Sequence, residues 1–330
     1  MFVLLIGGTE VCRIPGISMA GTSPQAVPFT APADADLLWW GRLRVVDALP
    51  MDPQGHPTPG LITRAARLEA QFPVMVARAG SFIPPACPFV ETGAAPGGFP
   101  DEGPAVPEAR RLFEWGVSLG ENLGRRGEPL VIGESVPGGT TTAFLLLRAL
   151  GYEGMVSSAG PENPVRLKET LWSRVLERLG AGHAELRGDP LGAVAELGDP
   201  MQPLAAGMAV GASRHAPVVL AGGTQMLAVA ALARALGFSA PLTVATTTYV
   251  ARDPSAHFAA LAQQVEVHPW VAPLDFSASA FAGLRDYEKG FVKEGVGAGG
   301  AVWYAEFLGV PTARVVARTE ALYGEMTAGA

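Results

Sequence analysis

The chain has 330 residues, 48% of them hydrophobic and 17% charged, with a formal net charge of −7. That length suits one large α/β unit, and the apolar content can bury a substantial core, which excludes a mainly disordered chain. No run of lysine or arginine is present to track a phosphate backbone, so nucleic acid is not an expected partner.

Taken in chain order, the opening "MFVLLIGGTEVCRIPG" lacks a basic leader, and its apolar run has strand length. It reads as a buried strand leaving into a Gly-Gly-Thr turn, not as a signal peptide. Seven prolines fall between Pro84 and Pro107. A stretch this long without periodicity is a loop, either a lid over a binding site or a plain surface connection. From Pro107, "PEARRLFEWGVSLGENLGRRG" has amphipathic helical spacing. "PLVIGESVPGGTTTAFLLLRALG" then reads as strand, glycine turn and helix. "RLKETLWSRVLERLG" predicts a surface helix, and "DPMQPLAAGMAVGASRH" a helix whose Ala and Gly content suits close packing. His215 to Ala233 carries no acid, lysine or arginine over a span that could cross a bilayer. Its central Gly222-Gly223-Thr224-Gln225 favours strand, turn and buried helix instead, so no membrane span is expected. "APLTVATTTYV" is a further buried strand ending in threonines.

Apolar strands alternating with helices predict an α/β fold with a Rossmann-like, mainly parallel sheet and helices on both faces. A smaller helical portion is expected from the terminal segments, the whole forming one unit over residues 1–330. Ligands of such sheets bind beyond the carboxyl ends of the strands, where the glycine turns would gather. Cys12 and Cys87 lie far apart without metal-ligand spacing, which suits reduced, buried thiols in a cytoplasmic protein. No histidine or carboxylate cluster has metal spacing, so neither metal nor cofactor is expected.

Two stretches hold the candidate chemistry. Gly133 to Thr140 fits a phosphate loop at both glycines and at the threonine, but Gly139 stands in the lysine's place. Backbone N–H groups at such a strand-to-helix turn suit a phosphate monoester, with Thr140, Thr141 and Thr142 capping the helix or donating hydroxyls and Glu134 delivered by the strand. The alternative is a threonine-capped corner that binds nothing. In "KGFVKEGVGAGG", Gly295, Gly297 and Gly300 match a dinucleotide fingerprint, but too little strand precedes them and too little chain follows. The more useful residue there is Glu294, before a flexible glycine run, where desolvation would raise its pKa towards a base's working range. His257 reads as a helix-surface histidine.

"GESVPGGTTTA", "DPLGAVAELGDPMQPLAAGMAVGASRHAPVVLAGGTQMLAVAAL" and "KEGVGAGG", in that order, resemble motifs of the nicotinate-nucleotide–dimethylbenzimidazole phosphoribosyltransferases. "TEVCRIPGISMAGTSP" and "GHPTPGLITRAA" resemble the archaeal-type branch of that superfamily. The resemblance implies phosphoribosyl transfer from nicotinate mononucleotide to a benzimidazole-like base, in a homodimer with its site at the strand ends. It implies Glu294 as general base and Glu134 as a second acidic residue. Gly138 to Thr142 and Lys168 would hold the phosphate, and Gly222, Gly223, Gly295 and Gly297 would lie against substrate. Val136-Pro137-Gly138-Gly139 departs from the family's Gly-x-Gly-Asn, and the family's N-terminal helices have no clear counterpart. A nucleotide-binding protein without transferase activity, or with another acceptor base, and a dinucleotide-dependent oxidoreductase are the rival readings.

Overall fold

Seven strands form one sheet in the computed structural model, which describes residues 1–46 and 48–328. They are β1 (Phe2–Gly7), β2 (Val74–Ala79), β3 (Val90–Glu91), β4 (Leu130–Ser135), β5 (Val218–Ala221), β6 (Leu242–Thr247) and β7 (His268–Ala272). The spatial order is β3-β2-β1-β4-β5-β6-β7, and every neighbouring pair is parallel. Phe2 pairs with Val74 on one side and Val131 on the other, which sets the register of the central strands. All six residues of β1 and of β4 are buried. That is why both read as continuous apolar runs: a strand covered on two faces has no solvent side to carry polar residues.

Alternate residues of a strand point to opposite faces, and β1 divides its side chains between two cores. Val3 and Leu5 join the core beneath the helices Ala109–Gly124, Gly139–Ala149, Met201–Ala212 and Thr224–Ala235. Phe2, Leu4 and Ile6 join the other, beneath Val27–Trp40, Gly60–Ala70, Ala298–Phe307 and Thr312–Ala328. The helices from the two ends of the chain therefore cover one face of the sheet and share its core. On the opposite face, the Ala- and Gly-rich helix Met201–Ala212 packs closely on Ala109–Gly124. A Cβ on Gly120 would lie 2.1 Å from Met208 O, and one on Gly211 2.1 Å from Val117 O.

The 215–233 stretch forms β5, a turn and a buried helix. Among the described residues no helix is long and apolar enough to cross a membrane. The proline-rich segment carries the short edge strand β3 and is pinned to the turn after β1. Gly97 N–H donates to Gly8 O at 2.9 Å, and Glu10 N–H to Gly97 O at 2.7 Å. Cys12 and Cys87 are free and buried. Burial pushes their thiols up to about 11 and about 12, respectively.

Candidate active site

From β1 the chain steps outward to β2 and β3, then returns to β4 and continues the other way. This reversal opens a crevice at the carboxyl ends of β1 and β4. A cavity lies there, walled by the turn after β4, the starts of the helices after β4 and β5, the loop around Glu294, and two N-terminal segments, 16–21 and 50–59.

The turn after β4 brings Glu134, Ser135, Val136, Pro137, Gly138, Gly139 and Thr140 to the wall. Gly138 is in the left-handed region at φ 84°, and a Cβ there would sit 2.9 Å from Cys12 N, so both backbone and space require glycine. Thr141 and Thr142 turn inward and are not on the wall. Thr142 Oγ1 donates to Asp199 Oδ2 at 2.6 Å, and Asp199 in turn accepts Met201 N–H at the start of the next helix. Gly223 lines the cavity, whereas Gly222 and Gly297 stand behind it. A Cβ on Gly222 would be 3.5 Å from Glu134 Oε1, one on Gly223 would be 3.8 Å from Glu294 Cβ, and one on Gly297 would be 3.0 Å from Gly133 Cα. These glycines let backbone pass beside both carboxylates and between strand and helix.

Glu134 and Glu294 share this cavity. Burial, then the charge of Glu294, then that of Asp199 push the Glu134 carboxyl up to about 8. Burial raises Glu294 to about 7 against the opposing pull of backbone N–H donors. Those donors are Thr247 N–H to Oε2 at 2.9 Å, and Gly295 and Gly299 N–H to Oε1 at 3.2 Å each. The Thr246 hydroxyl adds a weaker contact at 3.4 Å. Glu294 thus sits at the N-terminus of the helix Ala298–Phe307, where a carboxylate is favoured. The loop that holds it is strained. Val292 (φ 46°) and Val296 (φ 56°) are β-branched residues in the left-handed region, two positions before and after Glu294. Thr63 Oγ1 on Val296 O at 3.0 Å and Thr247 Oγ1 on Lys293 O fasten that backbone. A dinucleotide fingerprint follows a strand, whereas this glycine run comes after the short helical turn Asp286–Lys289.

A further wall carboxyl was not anticipated. Asp34, buried in the helix Val27–Trp40, accepts Thr58 Oγ1 at 2.7 Å and Ser135 Oγ at 2.8 Å. Burial raises it to about 6, opposed by those two hydroxyls. Its neighbour Asp36 serves structure, accepting the backbone N–H groups of Arg44, Val45, Ala86 and Cys87. His56 is likewise new: its ring lies between Asp52 Oδ2 (2.7 Å) and Asp286 Oδ2 (3.1 Å), tying the 50–59 segment to the chain before Glu294.

Lys168 does not reach the wall. It is fully buried, and its ammonium donates to Ser157 O at 3.0 Å and Asn163 Oδ1 at 2.7 Å, bracing the Ser157–Ala159 segment from behind. Burial lowers it to about 7. The lysine on the wall is Lys293, which pairs with Asp253 Oδ2 at 2.6 Å. No residue of the proline-rich segment lines the cavity. His257 also lies outside, at the surface, its Nδ1 accepting Met155 N–H at 2.8 Å.

No family model matches the chain. It is similar to the UPF0284 protein of Pyrococcus furiosus, 47% identical over 328 residues that span 99% of this chain and 98% of the relative. The UPF0284 protein of Thermococcus kodakarensis is 47% identical over 325 residues, spanning 98% of this chain and 96% of the relative. Among solved structures it is similar to a nicotinate-nucleotide-dimethylbenzimidazole phosphoribosyltransferase from Thermus thermophilus. The TM-score is 0.58 at 19% identity, with 98% of this chain and 82% of that one covered. A structure of CobT from the same organism gives a TM-score of 0.57 at 21% identity, covering 98% and 83%. At that identity the likeness concerns the fold.

Proposed function

Since the chain belongs to the UPF0284 family and shares the fold of those transferases, we propose that it is a phosphoribosyltransferase acting on nicotinate mononucleotide and a 5,6-dimethylbenzimidazole-like base. The products would be nicotinate and an α-ribotide 5′-phosphate. The observation that carries this reading is the pair of carboxyls, Glu134 buried and Glu294 half-buried, on one cavity at the strand ends, displaced upward to about 8 and about 7.

In this reading Glu294 accepts the ring N–H proton of the incoming base. The freed nitrogen lone pair forms the bond to ribose C1 while the bond from C1 to nicotinate breaks. That electron pair returns to the pyridinium ring, which loses its positive charge as nicotinate leaves. The step asks for alignment and one proton acceptor. A carboxylate near pKa 7 is poised for this, being both ionised in good part and basic enough at neutral pH. Burial and the charge of Glu294 favour the protonated form of Glu134, which can donate a hydrogen bond to an oxygen of the substrate. By the same resemblance we read the protein as a homodimer, which light scattering tests, and from its two unpaired cysteines as cytoplasmic.

The three N–H donors already on Glu294 favour a second reading, in which that carboxylate only caps its helix and the protein binds a nucleotide without turning it over. Incubation with nicotinate mononucleotide and a panel of benzimidazoles and purines separates the two. Nicotinate release that depends on the base supports the transferase. Calorimetric binding of the mononucleotide with no release under any base supports the binding protein.

A further inference from the structure

Among the described residues Lys293 is the one lysine or arginine on the cavity wall. Its side chain is 4% exposed. An ammonium has three N–H donors, and this one has a single protein partner among the described residues, Asp253 Oδ2 at 2.6 Å. Asp253 is more fully engaged, taking Ser157 Oγ at 2.6 Å and both the N–H and hydroxyl of Ser255. Donors left over on a buried cation are costly unless something accepts from them.

The surroundings point to an anion. Ser157 N–H donates to Thr224 Oγ1 at 3.0 Å, so Lys293, Asp253, Ser157 and the first residue of the helix Thr224–Ala235 form one bonded chain. Thr224 and Gln225 are on the cavity wall, as are Gly139 and Thr140 at the start of the helix Gly139–Ala149. Two helix N-termini of eleven and twelve residues therefore open on the cavity that Lys293 lines, and each adds partial positive charge. The other ionisable side chains of the wall, Asp34, Asp52, Glu134, Glu162 and Glu294, are acids, which leaves Lys293 as the cation an anionic group can pair with. Lys168 is spent on Ser157 O and Asn163 Oδ1 behind that segment.

We infer that Lys293 binds the phosphate of the donor nucleotide directly, using the donors that Asp253 leaves free, with the two helix N-termini completing the subsite. This rests on the proposed function for the identity of the ligand, and it assigns to the residue beside the base the task the Walker lysine performs in a phosphate loop. Lys293 then anchors one end of the donor while Glu294, next in the chain, faces the reacting end.

The test measures binding without any acceptor base. Nicotinate mononucleotide and nicotinate riboside, which lacks the phosphate, are titrated calorimetrically into wild type, Lys293→Met, and the double variant Lys293→Met with Asp253→Asn. The double variant avoids stranding a buried carboxylate, so that a folded neutral pair is available if the single variant fails to fold. A charge-assisted hydrogen bond to phosphate is worth enough that its loss weakens binding about tenfold to a hundredfold. The expected result is that wild type prefers the mononucleotide, and that the variants lose that preference by this factor while riboside binding stays the same. Equal weakening of both ligands, an unchanged preference in the variants, or no preference in wild type would overturn the inference. Nicotinate release with a base present is scored separately. A wild type that prefers the mononucleotide yet releases no nicotinate sinks the transferase reading and leaves Lys293 in place.

Discussion

Replacing Glu134 by glutamine should stabilise the protein, and increasingly so as pH rises. The Glu134 carboxyl is held at about 8 against an ordinary value of 4.5, through burial first and then the charges of Glu294, Asp199 and Asp34. In the unfolded chain it ionises near its ordinary value. Below pH 4.5 both states carry the proton and the group contributes nothing. Between the two pKa values the folded state keeps a proton that the unfolded state has lost, so stability falls as pH rises, and the full penalty is reached above pH 8. Glutamine mimics the protonated form and escapes this loss. Each pKa unit corresponds to about 1.4 kcal/mol, so the gap between variant and wild type should grow to on the order of a few kcal/mol by pH 8. Urea unfolding of both proteins at pH 5, 6, 7 and 8 measures it. A gap that stays constant across the series, or a variant that is less stable at pH 8 than wild type, would refute the argument that this carboxyl is buried in its protonated form.

The remaining predictions concern the frame around the site. Gly120→Ala places a Cβ 2.1 Å from the backbone oxygen of Met208, an overlap that should cost about 1–3 kcal/mol or more in urea unfolding. Gly103→Ala meets nothing within 4 Å and should stay within about 0.5 kcal/mol of wild type. The Cys12 and Cys87 thiols, raised to about 11 and about 12, should resist a thiol-disulfide reagent at pH 8 in the native state and react on addition of denaturant.

The interior of the fold was legible because its constraint is local. β1, β4, β5 and β6 are covered on both faces, so their apolar runs and the glycines that end them stand out in the chain. β7 was missed because it is an edge strand with His268, Pro269 and Val271 exposed, and β3 because it has two residues. In the site, Glu134 was visible at a strand end and Glu294 before a glycine run. Asp34 was not, because its burial depends on Thr58 and Ser135, which lie 24 and 101 residues away. The one local signal was two aspartates in the apolar run "PADADLL". Thr141 and Thr142 looked like phosphate ligands, but helical geometry buries both, and the Thr142 hydroxyl is bonded to Asp199. Which lysine reaches the cavity is likewise a property of the folded chain: Lys168 and Lys293 both sit beside motif residues, and only the fold places one behind the wall and the other on it.

The central claim, that Glu294 takes the proton of the attacking base, is tested most directly by nicotinate release from nicotinate mononucleotide in the presence of an accepted azole, comparing wild type with Glu294→Gln. Glutamine keeps an acceptor oxygen for the Thr247 N–H but cannot take a proton. Release should fall by about a hundredfold to ten-thousandfold while mononucleotide binding is retained. A wild type that releases nicotinate no faster than the variant would contradict it.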